Sequence, residues 1–186
     1  AKLAESLPGV TFRGVMSHQH LDEFIDTESR ILRAREYIER CLAVKDAIEA
    51  EGISVEIVST GETFSYDAAA DMQGVTEVEG GTYALMATSY DYMEEFQIAN
   101  KVLSTIISTP SPNIAIGDAG MRALSMPDGL PTVEGLPGIT VKSLSDDHSV
   151  LQSDGTTNFK VGQQFLLLPW YQDMMINRWD QYIAIR

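Results

Sequence analysis

Hydrophobic and polar positions along this chain fall into two textures. Between Leu21 and Glu51, the apolar residues Ile31, Ala34, Ile38, Cys41, Leu42 and Ile48 recur at three- and four-residue steps, which is one face of a helix. Arg30, Arg33, Arg35, Glu39, Arg40 and Glu49 are expected on its wet side, and Gly52 supplies the stop. Ahead of the helix, Gly9 to Met16 alternates weakly and predicts a short buried strand. Behind it, Ile53 to Val58 is β-branched and alternating, a second strand. That strand runs through Ser59-Thr60-Gly61-Glu62-Thr63-Phe64-Ser65-Tyr66 into a short helix over Asp67 to Met72, and a third strand follows over Val75 to Glu79. Strands alternating with helices predict a parallel sheet with crossover connections.

From Phe96 onward the apolar runs become short and β-rich. Val102–Ser108, Asn113–Ile116, Ile139–Leu144, Ser149–Gln152, Gln164–Leu168 and Tyr182–Ile185 are separated by Pro, Gly, Asp and Asn. That spacing predicts an antiparallel β-domain. The expected organisation is therefore an α/β segment over residues 1–95 and a β-domain over residues 96–186, with no internal repeat.

Composition narrows the partners. Thirteen basic against twenty-seven acidic side chains leave a net charge of -14. Binding to a phosphate backbone or an anionic membrane surface needs clustered Lys and Arg, so neither is expected. No apolar run approaches the ~18–20 residues of a membrane span. The single cysteine, Cys41, excludes an internal disulfide and fits a reducing cytoplasm.

Three places carry candidate chemistry. The Ser59–Thr63 loop follows a parallel strand and precedes a helix, so its backbone N–H groups can face a phosphate. Gly61 allows close approach, and Ser59 and Thr63 add hydroxyls; the competing reading is an ordinary turn, since Glu62 sets a like charge beside any anion. His18 and His20 on an extended segment point to one side, either as a metal pair or as two polar loop residues. His148, after Asp146 and Asp147, is a general base or a solvated turn residue. Finally, Tyr171 and Asp173 lie on one face of an extended segment and together offer a phenol and a carboxylate to a hard cation.

These pieces, taken in order, resemble one family. Val55 through Tyr66 is similar to the "VEVVSGGGTGTY" stretch of the D-threonine aldolase and D-serine dehydratase family. Gly74 through Tyr83 resembles its "GVTEI…GTY" segment, Gly117 through Ser125 its "LDAGxKALS", and Ser145-Asp146-Asp147-His148 its "SEEH". The stretch from Leu168 to Asp180 stands where "PxHxDxTVNLxD" is expected. The resemblance implies a pyridoxal-phosphate lyase of the alanine-racemase fold type. Its fold would be the second half of a (β/α)8 barrel followed by the C-terminal β-domain. The substrate would be a D-3-hydroxy amino acid, either cleaved in the aldolase manner or dehydrated. A divalent metal such as Mn, Mg or Zn is a further implied cofactor, and a homodimer the implied assembly.

Carried over by position, the resemblance places Ser59, Gly61, Thr63, Tyr66 and His20 around the cofactor. His148 and Tyr171 become the implied catalytic groups, and Asp173 with Tyr171 the implied metal ligands. Tyr171 stands where the family has a histidine, and Thr60 and Glu62 replace two loop glycines. None of Lys2, Lys45, Lys101, Lys142 and Lys160 stands where the family's Schiff-base lysine is expected, which implies an N-terminal half-barrel chain or upstream segment as partner. The alternative is a non-catalytic regulatory or structural subunit that keeps the scaffold.

Overall fold

The computed structural model describes residues 1–126 and 128–185 and divides into two compact units, Ala1–Tyr83 and Ala84–Arg186. Composition changes at residue 96, but residues 84–95 are held by the second unit. Ala99 N–H donates to Leu85 O at 2.8 Å and Thr88 N–H to Pro169 O at 2.9 Å.

The first unit contains α1 (Lys2–Ser6), β1 (Gly14–Ser17), α2 (Thr27–Ala50), β2 (Ile57–Thr60) and α3 (Tyr66–Asp71). β1 and β2 run parallel, in register from Gly14 opposite Ile57 to Ser17 opposite Thr60. The strands approach so closely at Gly14 that a Cβ there would lie 2.0 Å from Ile57 O. The third strand expected over Val75 to Glu79 is reduced to one parallel bridge, Ser59 to Glu77. Its neighbouring amides still reach across, Thr76 N–H to Val58 O at 3.0 Å and, in return, Thr60 N–H to Glu77 O at 3.1 Å.

α2 begins at Thr27 rather than Leu21, because Asp26 caps it by accepting from Ser29 N–H at 2.8 Å and Glu28 N–H at 3.3 Å. The helix buries Ala34, Ile38 and Cys41, and Cys41 packs with Val55 and Val58. Arg30, expected in solvent, is 4% exposed instead, with Nη1 within 3.5 Å of the carbonyls of Phe24 and Ile25. The strand expected from Ile53 starts at Ile57. Ile53 N–H still closes the helix end on Ile48 O, and pairing towards β1 begins where Glu56 and Ile57 both donate to Arg13 O.

The second unit is a six-stranded antiparallel sheet. Its strands are β3 (Val102–Ser111), β4 (Ile114–Gly117), β5 (Thr132–Glu134), β6 (Ile139–Leu144), β7 (Ser149–Ser153) and β8 (Gln164–Leu168). They lie in the order β5-β8-β3-β4-β7-β6, with the short helices α4 (Met121–Leu124) and α5 (Asp173–Ile176) beside them. Its core gathers Ile106, Leu124, Leu151, Phe165, Leu167 and Met175, all essentially inaccessible. β6 and β8 coincide with the runs predicted from sequence. Tyr182 to Ile185 forms no strand: it has no strand partner in the sheet, and Ile183 and Ile185 stand in solvent. No helix among the described residues is long and apolar enough to cross a membrane.

Candidate functional site

In the first unit, the loop after β2 is the best-built polar feature. Thr60, Thr63 and Ser65 are buried there although each carries a hydroxyl, so each needs a partner. One residue supplies two of them. Just past β1, the two-residue alternation turns His18 and His20 outward, with ring centroids 5.4 Å apart, and turns Gln19 inward. Gln19 Nε2 donates to Thr60 Oγ1 at 2.7 Å, and Gln19 Oε1 accepts from Ser65 Oγ at 3.1 Å. Ser65 Oγ in turn accepts Glu62 N–H at 2.9 Å, and Thr60 Oγ1 bonds Ser17 Oγ at 2.7 Å. Thr63 Oγ1 takes a different partner, Tyr83 N–H at 3.0 Å, which folds the Gly80–Tyr83 turn onto the loop.

Gly61 sits at φ +90°, in the left-handed region, and a Cβ there would meet Ala69 Cβ at 2.7 Å. The amides of Thr60, Glu62 and Ser65 are used within the unit. Those of Gly61 and Thr63 have no acceptor among the described residues, which leaves them for an anion. α3 is six residues long, so the loop amides rather than a helix dipole carry this property. Ser59 is buried at the end of β2, and Tyr66 opens α3 partly exposed.

Glu62 is 7% exposed, and one of its carboxyl oxygens is buried with no hydrogen-bond partner among the described residues. Burial pushes its pKa up to about 7, with the negative charge of Asp22 adding to the shift and the backbone N–H of Leu21 opposing it. Around neutrality this side chain is therefore far less anionic than its type suggests.

In the second unit, Tyr171 Oη donates to Asp173 Oδ2 at 2.9 Å, and the Tyr171 ring stands edge-on to Tyr90 at 6.4 Å. Thr88 and Ser89 donate to the carbonyls of Pro169 and Trp170, holding this segment in place. His148 lies on the exposed turn between β6 and β7, with β3 and β4 between that hairpin and β8. That turn meets the segment after β4. Met121 N–H donates to Ser145 O at 2.8 Å and Arg122 N–H to Asp146 O at 2.9 Å. A Cβ on Gly120 would lie 2.4 Å from His148 N. The two sequence motifs Gly117–Ser125 and Ser145–His148 thus form one knot.

Among the described residues no three His, Cys, Asp or Glu side chains gather as a metal site. Lys45 pairs with Glu49 and Lys101 with Glu134, so neither points a free amine at either cluster. Sequence reasoning missed Gln19 and Ser65. The signal was available in the alternation His18-Gln19-His20, whose middle residue must face the opposite way.

The fold is found in known proteins. D-threonine aldolase from Filomicrobium marinum superposes with a TM-score of 0.88 at 24% identity, over all of this chain and 52% of that one. Alanine racemase from Clostridium difficile 630 superposes at 0.55 with 17% identity, over 88% of this chain and 49% of that one. The fold is thus of the alanine-racemase type. Residues 99–185 match the family described as putative serine dehydratase domain. The 3-hydroxy-D-aspartate aldolase of Paracoccus denitrificans (strain Pd 1222) is 31% identical over the whole chain and 51% of its own length. The chain is thus similar along its whole length to D-threonine aldolase and 3-hydroxy-D-aspartate aldolase, and spans about half the length of the curated relatives it matches.

Proposed function

We propose that this chain forms part of a pyridoxal-phosphate lyase acting on D-3-hydroxy amino acids. The observation that carries the reading is the loop after β2, whose Gly61 and Thr63 amides are unclaimed while the amides of Thr60, Glu62 and Ser65 and the hydroxyls of Thr60, Thr63 and Ser65 are held within the unit. A phosphate ester fits such a cradle, and the raised pKa of Glu62 reduces the like-charge objection, since the carboxyl can take up a proton near neutrality. Gly61 and Thr63 hold the phosphate in this reading, with Ser59 lining the loop and Tyr66 and His20 flanking the ring. The cofactor, when bound, supplies an electron sink for the carbanion left at the substrate's α-carbon.

The chain's own groups handle the substrate hydroxyl. In the cleavage reaction Tyr171 Oη takes the proton from the 3-hydroxyl while passing its own to Asp173 Oδ2, along the bond already formed. His148 is a second proton carrier in this reading, exposed on its turn. A divalent metal does not fit the donor set, since a phenol and one carboxylate are too few ligands. The lysine that anchors the cofactor comes from a partner or upstream segment, in a homodimer of the complete unit.

The test is an assay on protein purified from its native source with whatever accompanies it, supplemented with pyridoxal phosphate. D-threonine, D-threo-3-hydroxyaspartate and D-serine are the substrates to offer. Cleavage of D-threonine to glycine and acetaldehyde, or elimination to a 2-oxo acid and ammonia, supports the reading. A folded assembly that takes up no cofactor and turns over none of them overturns it in favour of a non-catalytic subunit.

A further inference from the structure

Gln19 is 3% exposed, and both ends of its amide are used. Its oxygen holds Ser65 Oγ, which holds Glu62 N–H, and that amide lies between those of Gly61 and Thr63. Its nitrogen holds Thr60 Oγ1 at the strand end where the loop begins. One side chain from the segment just past β1 thus grips the loop on both sides of the two unclaimed amides. Every member of the relay is buried, so water cannot substitute for a lost partner.

We propose that Gln19 is the positioning residue of the anion-binding loop, aiming the Gly61 and Thr63 amides through Ser65 and Thr60 without itself touching the ligand. The proposal rests on the phosphate reading of that loop. Its consequence is selectivity. Removing the relay relaxes the loop and weakens any ligand bearing a phosphate, but leaves the binding of a phosphate-free analogue of the same ring nearly unchanged. A general loss of packing would weaken both alike.

The experiment titrates pyridoxal phosphate and pyridoxal, by their absorbance changes, against the intact protein and the variants Gln19→Met and Ser65→Ala. Methionine keeps the volume of the buried side chain while losing both hydrogen bonds, and alanine at position 65 cuts the relay by a single hydroxyl. The expected result is roughly ten-fold weaker binding of pyridoxal phosphate in each variant, with pyridoxal changed less than about two-fold. The double variant should lose less than the product of the two single losses, since both cut the Ser65 branch of the relay. Equal losses for the two ligands, or unchanged pyridoxal phosphate binding in Ser65→Ala, overturn the positioning role. If the unmodified protein shows no preference for pyridoxal phosphate over pyridoxal, the phosphate reading itself fails, a distinct outcome.

Discussion

Replacing Glu62 by Gln tests whether the carboxyl is buried in the way the fold requires. Its pKa moves from an ordinary 4.5 to about 7 on folding, chiefly through loss of water around the charged form. In acid below the unfolded value, both states carry the proton and the group does not affect folding. As pH rises from there, the unfolded chain releases its proton first, so stability falls by about 1.4 kcal/mol per pH unit. Past the folded value the loss levels off, at about 3 kcal/mol for a shift of this size. Little solvent screening reduces this figure, because the residue is 7% exposed. Glutamine keeps an acceptor for Leu21 N–H but cannot ionise. The variant should therefore match the parent near pH 4 and exceed it by about 3 kcal/mol above pH 8. Urea denaturation followed by far-ultraviolet circular dichroism reads the first unit, since α2 has 24 residues and is the longest helix. The difference between the two proteins is the quantity to read, because both carry the chain's many other carboxylates. Parallel stability curves across the window would refute the reasoning.

Two further outcomes follow from the same geometry. Gly120→Ala puts a methyl 2.4 Å from His148 N and from Ser145 O, both backbone atoms. It should cost about 3 kcal/mol in denaturation followed by tryptophan fluorescence, and a loss under about 0.5 kcal/mol would show that the two turns do not meet. Asp26→Ala removes the cap of α2 and should lower the Tm at neutral pH. Hydrogen bonds from Ser29 hold the Asp26 pKa below its usual value, so its contribution is lost as pH falls through that lowered value. The gap between variant and parent should then close in acid, and a gap independent of pH would contradict the capping geometry.

What the sequence disclosed follows the range of the forces involved. The body of α2 was legible because one apolar stripe must meet β2, and β6 and β8 were legible as bounded apolar runs. The start of α2 was not, because the cap at Asp26 decides it while Leu21, Phe24 and Ile25 ahead of it carry the same three- and four-residue apolar spacing. Arg30 was misplaced because a guanidinium with backbone carbonyls to meet can be buried, and charge alone does not disclose that. The loop was legible as a motif, while its support was not. Gln19 and Ser65 are 46 residues apart, and nothing local marks them as partners. The link between Gly120 and the turn at His148 was equally hidden, although both motifs had been recognised separately.

The one thiol and the two indoles are distributed in a way that makes the chain its own instrument. Cys41 lies inside the first unit, 5% exposed against Val55 and Val58, whereas Trp170 and Trp179 both belong to the second. A thiol reagent therefore reacts only when the first unit opens, while indole emission follows the second. Labelling rate and fluorescence, read on the same unmodified sample, time the opening of each unit against a separate clock.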